Sequence, residues 1–160
     1  MSPSRHLEAD TVRVLWRWTD ETPNAASRAR TALQCALDQL GYTGEVLDDA
    51  VLAVSELVAN ALEHAAGPYE MRLRFMRGHH LICEVADTDP RIPTIPAVPK
   101  MELFAVAPGR RGGGVDALLE LLSERGRGLR IVHHLTCGAW GFASEPGGRS
   151  KVAWMAIPGI

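Results

Sequence analysis

The strongest hydrophobic pattern in the chain is helical and lies in its first half. Apolar residues recur at three- and four-residue spacing over five turns, at Leu47, Ala50, Val51, Val54, Leu57, Val58, Ala61, Leu62 and Ala65. Gly67-Pro68 follows and predicts the end of this helix. A second stripe, mostly alanine and leucine, runs from Ala25 to Leu40. For that helix Thr22-Pro23 predicts the start, with Thr22 as N-cap, and Gly41 predicts the end.

Five other segments are predicted to be strands, and apolar and polar positions alternate in the first two of them, imperfectly in the first. These are residues 12–16, which we expect near a sheet edge, and residues 71–75, 81–86, 139–143 and 152–157. The last two form a predicted hairpin around Pro146-Gly147-Gly148. Short helices are predicted at 115–122 and after Gly126-Arg127-Gly128. Because strands and helices do not strictly alternate, the order predicts an α+β fold. We expect a two-layer α/β sandwich with helices on one face of a mixed, mostly antiparallel sheet.

Residues 87–111 have a different character, since five prolines lie among them. Prolines this dense exclude a helix or a central strand. The segment Arg-Arg-Gly-Gly-Gly at 110–114 follows and predicts a flexible basic hinge. A loop of this length inside a compact domain is usually functional or disordered.

Composition narrows the class of protein. The chain has 160 residues, which fits one domain spanning 1–160, and a net charge of −2, so nothing suggests a nucleic-acid partner. No apolar run approaches the length of a membrane span, and no signal peptide is recognisable. Three widely spaced cysteines make a poor disulfide framework. We interpret them as reduced thiols that fill apolar space in a cytoplasmic protein.

One stripe of polar residues on the long helix could carry chemistry: Glu56, Asn60, Glu63 and His64. Three of them are four residues apart and project from one side. A carboxylate there can take a proton from water or a hydroxyl, and an amide oxygen suits Mg²⁺. The alternative is that the stripe is simply the solvated face of an amphipathic helix, and spacing alone favours that alternative.

Two further features have similarly balanced interpretations. Asp87 ends a buried strand and can accept a hydrogen bond from a ligand amino group, or cap the following loop as an Asx turn. Gly126-Arg127-Gly128 opens a helix whose free N–H groups and dipole suit a phosphate, or it is an ordinary glycine-rich turn.

Taken in order, these segments resemble the histidine-kinase-like (GHKL) ATPase superfamily, in its anti-sigma-factor serine/threonine kinase branch of the actinobacterial type. The segment from Ser55 to Ala65 is similar to the N-box, and Val85 to Pro90 to the first glycine box. The segment from Gly126 to Val132 is similar to the second glycine box. The end of the chain, from Trp140 through Lys151 to Trp154, resembles the closing strands. The resemblance covers residues 12–158.

The resemblance implies roles in binding and catalysis. Asn60 would coordinate Mg²⁺ that bridges the ATP phosphates, and Glu56 would act as general base. Asp87 would accept a hydrogen bond from the adenine amino group. One departure is that Asp89 and Pro90 stand where many members have the glycines of the first box, which changes the geometry expected on the adenine side.

The similarity to the second glycine box implies which residues would contact the ATP phosphates. Gly126 and Gly128 would let a helix N-terminus and a lid, about residues 91–125, wrap the phosphates, and Leu129 belongs to the same nucleotide-binding segment. Arg127 or His64 would add positive charge there, as we infer from their positions.

The resemblance also implies partners. The protein would bind a sigma factor and phosphorylate an anti-anti-sigma (STAS-type) protein, and a homodimer is expected. Two alternatives stay open. One is a nucleotide-responsive module that sequesters a protein partner with little or no kinase activity, and the other is simple ATP hydrolysis. No phospho-accepting histidine domain fits within the chain, which disfavours a sensor histidine kinase.

Overall fold

The computed structural model describes residues 11–76, 80–92 and 127–159, with only the backbone described at His80 and Arg127. The elements in these ranges are β1 (Thr11–Trp18), α1 (Ala25–Gln39), α2 (Gly44–His64), β2 (Tyr69–Met76), β3 (His80–Asp87), α3 (Arg127–Leu135), β4 (Trp140–Ser144) and β5 (Lys151–Ile157). The predicted helix at 115–122 lies outside the described residues, as does the predicted lid from residue 93 onward.

The five strands form one sheet in the order β1-β2-β3-β5-β4, and each neighbouring pair is antiparallel. The predicted two-layer α/β sandwich is confirmed. The last strand of the chain inserts between β3 and β4, so that Lys151 at its start pairs with Asp87 at the end of β3.

The core lies between one face of the sheet and the helices. Aligned rows of that face include Leu73–Cys83–Met155 and Met71–Val85–Ala153, all at most 4% exposed. The helices cover them with fully buried side chains: Leu33 and Leu37 of α1, Val54, Leu57 and Val58 of α2, and Leu129 and Val132 of α3. Burial of each large aliphatic side chain contributes about 1.5–3 kcal/mol. This packing holds α2 and α3 side by side on the sheet.

The ends of α1 show one correct and one incorrect prediction. Gly41 ends the helix as expected, because it adopts a φ of 91° and lets the Tyr42 N–H reach the Leu37 carbonyl at 3.0 Å. Thr22 is not the N-cap. That position belongs to Asn24, whose backbone is left-handed with a φ of 54°. The Thr22 hydroxyl instead accepts the Thr19 N–H at 3.1 Å, so it closes the preceding turn.

Strand β1 lies at the sheet edge as predicted, and a bulge explains its imperfect alternation. Val14 pairs with Arg72, yet Trp16 already pairs with Met71, so β1 has one extra residue there. The bulge turns Trp16 and Trp18 onto the core face, where their rings stack with centroids 4.8 Å apart. Val14, before the bulge, is 38% exposed.

The cysteine expectation needs correction. All three thiols are free, but only Cys83 is buried, whereas Cys35 and Cys137 are exposed. Burial raises the pKa of Cys83, which keeps that thiol a neutral packing group. The interpretation as apolar filler therefore holds for one cysteine and is wrong for the other two. Within the described ranges no helix is long and apolar enough to cross a membrane.

Candidate functional site

Helix α2 places Asn60 and Glu63 in opposite environments. Asn60 is 8% exposed, and its Oδ1 has no hydrogen-bond partner among the described residues. The side chain of Glu63 is 73% exposed. The interpretation of the stripe as a solvated face therefore holds for Glu63 and fails for Asn60. Leaving a buried acceptor unsatisfied costs about 1–3 kcal/mol, and an amide oxygen is a ligand type that Mg²⁺ accepts. The Asn60 oxygen thus fits a bound cation.

His64 lies one turn beyond Asn60, in the last turn of α2. Its Nε2 is buried without a hydrogen-bond partner within the described residues, and the nearest carboxylate oxygen of Glu63 is 3.8 Å away. Asn60 and His64 therefore bring two polar atoms to the C-terminal half of this helix, and neither atom has a hydrogen-bond partner in the part of the chain that the structure describes.

Glu56 lies against the first turn of α3. A Cβ built on Gly128 would be 2.8 Å from Oε2 of Glu56 and 3.7 Å from its Cβ. Real Cβ atoms do not approach oxygens this closely, so the Glu56 carboxylate occupies space that only glycine leaves open. The packing of α2 on α3 thus brings the predicted general base and the predicted phosphate-binding glycine into contact.

The other residues of the second box have different placements. Helix α3 begins at Arg127, whose side chain lies outside the described residues, as does Gly126 altogether. Leu129 is described and is fully buried in the core. Its side chain therefore anchors α3, and only its backbone N–H, in the first turn, remains for a ligand.

Asp87 is buried at the end of β3 and forms an ion pair with Lys151. Its Oδ1 accepts the Lys151 ammonium at 3.0 Å and the Asp89 N–H at 2.8 Å. Both side chains of the pair are 4% exposed. Burial raises the pKa of Asp87, while the Asp89 N–H and the Lys151 ammonium act in the opposite direction. The Asx turn considered from the sequence is therefore present, and it uses Oδ1.

The turn after Asp87 is tied to the end of α2. The Thr88 N–H donates to the Ala66 carbonyl at 3.0 Å, and the Thr88 hydroxyl donates to the same oxygen at 2.8 Å. Asp89 pairs with Arg91 at 2.8 Å, which holds the pKa of that carboxyl well below its usual range. These bonds organise the turn that replaces the glycines of the first box. They also place Asp87 at the same end of the fold as Asn60 and His64.

A cavity of about 60 Å³ lies elsewhere, near the start of α2 and the end of β5. Its lining includes Val46, Ala50, Leu135 and Met155, and none of the predicted site residues. Ligand pockets are usually about 300–1,000 Å³, so this cavity is too small for a nucleotide.

The role of Lys151 was missed by the sequence reasoning, which placed it only within the closing strands. A signal existed, because Lys151 is a lone cation opening the apolar run Val-Ala-Trp-Met-Ala-Ile. The second missed group is Asp20, which accepts hydrogen bonds from the Tyr69 hydroxyl and, at 3.0 Å, from the Gly67 N–H. Asp20 thereby connects the turn between β1 and α1 to the segment that follows α2.

Comparisons of the chain with family models and with curated proteins gave one match. The family model for the histidine kinase-like ATPase domain matches residues 19–148, which is most of the chain. The search of curated proteins gave no significant match.

Proposed function

The chain belongs to the histidine kinase-like ATPase family, and we propose on that basis that it is an ATP-dependent serine/threonine protein kinase. Its substrate would be an anti-anti-sigma protein of the STAS type, and its regulatory target a sigma factor. One observation carries the catalytic part: the Glu56 carboxylate lies against the first turn of α3, and the Asn60 oxygen, which has no hydrogen-bond partner in the described part of the chain, lies one turn further along α2. This placement supports the proposal, because the residues proposed as general base and cation ligand lie one turn apart on α2 and the first of them lies against the helix end proposed to bind phosphate.

In the proposed reaction, the serine or threonine hydroxyl oxygen forms a bond to the γ-phosphorus of ATP, and the bond from that phosphorus to the bridging oxygen breaks. Glu56 accepts the hydroxyl proton, and ADP leaves. Asn60 Oδ1 would ligate Mg²⁺, which neutralises phosphate charge when bound. The N–H groups at the start of α3 would hold phosphate oxygens. Phosphoryl transfer depends mainly on such positioning and charge neutralisation.

The adenine ring of ATP would bind at the other side of the site. Asp87 would accept the adenine amino group through Oδ2, because both described hydrogen bonds to this carboxylate use Oδ1. Arg127, Gly126 and His64 would complete the phosphate side. The sigma factor, the anti-anti-sigma protein and a second copy of the chain as homodimer partner are proposed from the family resemblance.

Calorimetry of Mg-ATP binding tests the nucleotide site. We expect wild type to bind only with magnesium present, Asn60→Ala to lose at least about tenfold in affinity, and Asn60→Asp to retain binding, since it keeps an oxygen ligand. Glu63→Gln is the matched control, because it removes an exposed carboxylate from the same helix. No Mg-ATP binding by folded wild type would refute the proposal.

Transfer is tested with Glu56→Gln and radiolabelled ATP. A kinase labels a serine or threonine of a purified candidate anti-anti-sigma protein, and the variant loses labelling while it keeps ATP binding. Labelling unaffected by Glu56→Gln would remove Glu56 from the mechanism. ATP binding with partner regulation but no labelling would replace the kinase with the sequestering module, and phosphate release alone would indicate an ATPase.

A further inference from the structure

The geometry of the buried ion pair between Asp87 and Lys151 indicates a role other than stabilising the fold. The Lys151 ammonium donates to Asp87 Oδ1 at 3.0 Å and to the Asp89 carbonyl at 2.9 Å. One cation therefore connects both ends of the turn. Buried ion pairs are weak evidence for stabilisation, because desolvation offsets their attraction.

We propose that Lys151 sets the base preference of the nucleotide site by keeping Asp87 an ionised, acceptor-only carboxylate. This inference rests on the proposed ATP site and adds a specificity-determining residue to it. An ionised carboxylate offers only acceptors. It therefore pairs with the 6-amino group of adenine and is repelled by the 6-carbonyl oxygen of guanine or hypoxanthine.

The charges around Asp87 explain why a cation is needed there. Asp89, on the same turn, is an anion, and Tyr69, on β2, is a neutral phenol. Lys151, from β5, supplies positive charge in direct contact. Without it, burial favours the protonated carboxyl. A protonated carboxyl gains an O–H donor and can pair with a 6-carbonyl group, so the site would then accept 6-oxo purines.

The test compares Mg-ATP with Mg-ITP, since inosine triphosphate carries a 6-carbonyl group where ATP carries the amino group. We expect wild type to prefer ATP by about 100-fold or more. Lys151→Met should lower that ratio at least about tenfold. Arg149→Met is the matched control, because it removes an exposed cation just before the same strand and should leave the ratio unchanged.

A double-mutant cycle distinguishes an effect of Lys151 on base preference from a merely structural role of this residue. Asparagine both donates and accepts, so Asp87→Asn should abolish the preference by itself. If Lys151 acts through Asp87, adding Lys151→Met to Asp87→Asn changes the ATP:ITP ratio less than about twofold. This pair of variants also serves if Lys151→Met alone fails to fold, because the double variant buries no charge from the pair.

The outcomes separate the two proposals. Loss of ATP preference in Lys151→Met, and no further change in the Asp87→Asn background, supports the role of Lys151. An undiminished ratio in a Lys151→Met protein that binds ATP overturns it and leaves the ATP site standing, as does an additional effect in the Asp87→Asn background. Failure of wild type to bind Mg-ATP refutes the ATP site and this inference together.

Discussion

Gly128→Ala is the substitution for which the structure gives the sharpest expectation. The added Cβ would lie 2.8 Å from Glu56 Oε2, about 0.6 Å short of the 3.4 Å at which ordinary contact begins. The nearest atom is the far end of a flexible side chain, so Glu56 can move aside at little cost. Alanine is also the better helix former, by up to about 1 kcal/mol. We therefore expect the free energy of unfolding to stay the same or to rise slightly.

Activity should behave differently from stability. Glu56 is the proposed general base, and displacement of a catalytic group by about 1 Å can cost about 100-fold in rate. A shift of Glu56 by about 0.6 Å should therefore reduce ATP turnover about 10- to 100-fold. ADP formation from Mg-ATP in the presence of the candidate anti-anti-sigma protein measures turnover, thermal unfolding measures stability, and calorimetry measures ATP affinity. The comparison separates a misplaced Glu56 from a disrupted fold.

Glu56→Asp supplies the control for this reasoning. Its carboxylate is one methylene shorter and withdraws from the first turn of α3. In that background Gly128→Ala should cost much less than in wild type, and the non-additivity measures the contact. Unchanged turnover in Gly128→Ala, or a loss of more than about 2 kcal/mol in stability, would refute the argument.

Three further predictions concern stability. Leu33→Ala, at a fully buried site on α1, should cost about 2–5 kcal/mol in denaturant unfolding and leave the ATP affinity of the folded protein unchanged; a changed affinity would contradict this. Tyr69→Phe should lose about 1–2 kcal/mol, since its hydroxyl bonds Asp20. Burial and Asp20 raise the pKa of Tyr69, so wild-type stability should fall as pH rises past about 10, where the unfolded phenol ionises. This alkaline loss should be smaller in the variant, where Tyr42 and Cys83, whose pKa values burial also raises, still contribute. Glu84→Ala should cost about 3 kcal/mol, because it breaks a buried pairing with two arginines, whereas Glu70→Ala, in a more exposed pair, should cost about 1 kcal/mol or less.

The helices and the hairpin were predictable because their signals are local. The three- and four-residue spacing identified the core face of α2, and that face is buried. Gly41 ended α1, and Gly147 and Gly148 formed the hairpin turn, because left-handed backbone favours glycine. The Thr22 cap failed since a second local motif, the turn from Thr19, used its hydroxyl.

The candidate site was only partly predictable. The spacing of Glu56 and Asn60 placed both on one side of a helix, but periodicity does not say whether a polar side is solvated or buried. The packing of α3 decides that Glu56 faces Gly128. The exposure of Cys35 and Cys137 likewise depends on where neighbouring elements lie.

By itself the sequence determined the described helices and strands and the fold class, because helix periodicity, strand patterning and turn chemistry depend on neighbours within a few positions. The residues expected to bind nucleotide came from the resemblance of its segments to a known family. Only the tertiary structure paired Asp87 with Lys151, which are 64 positions apart. That contact exists because β5 inserts beside β3 rather than at the sheet edge. Sheet order is set by packing across the whole domain, and no short stretch of sequence encodes it.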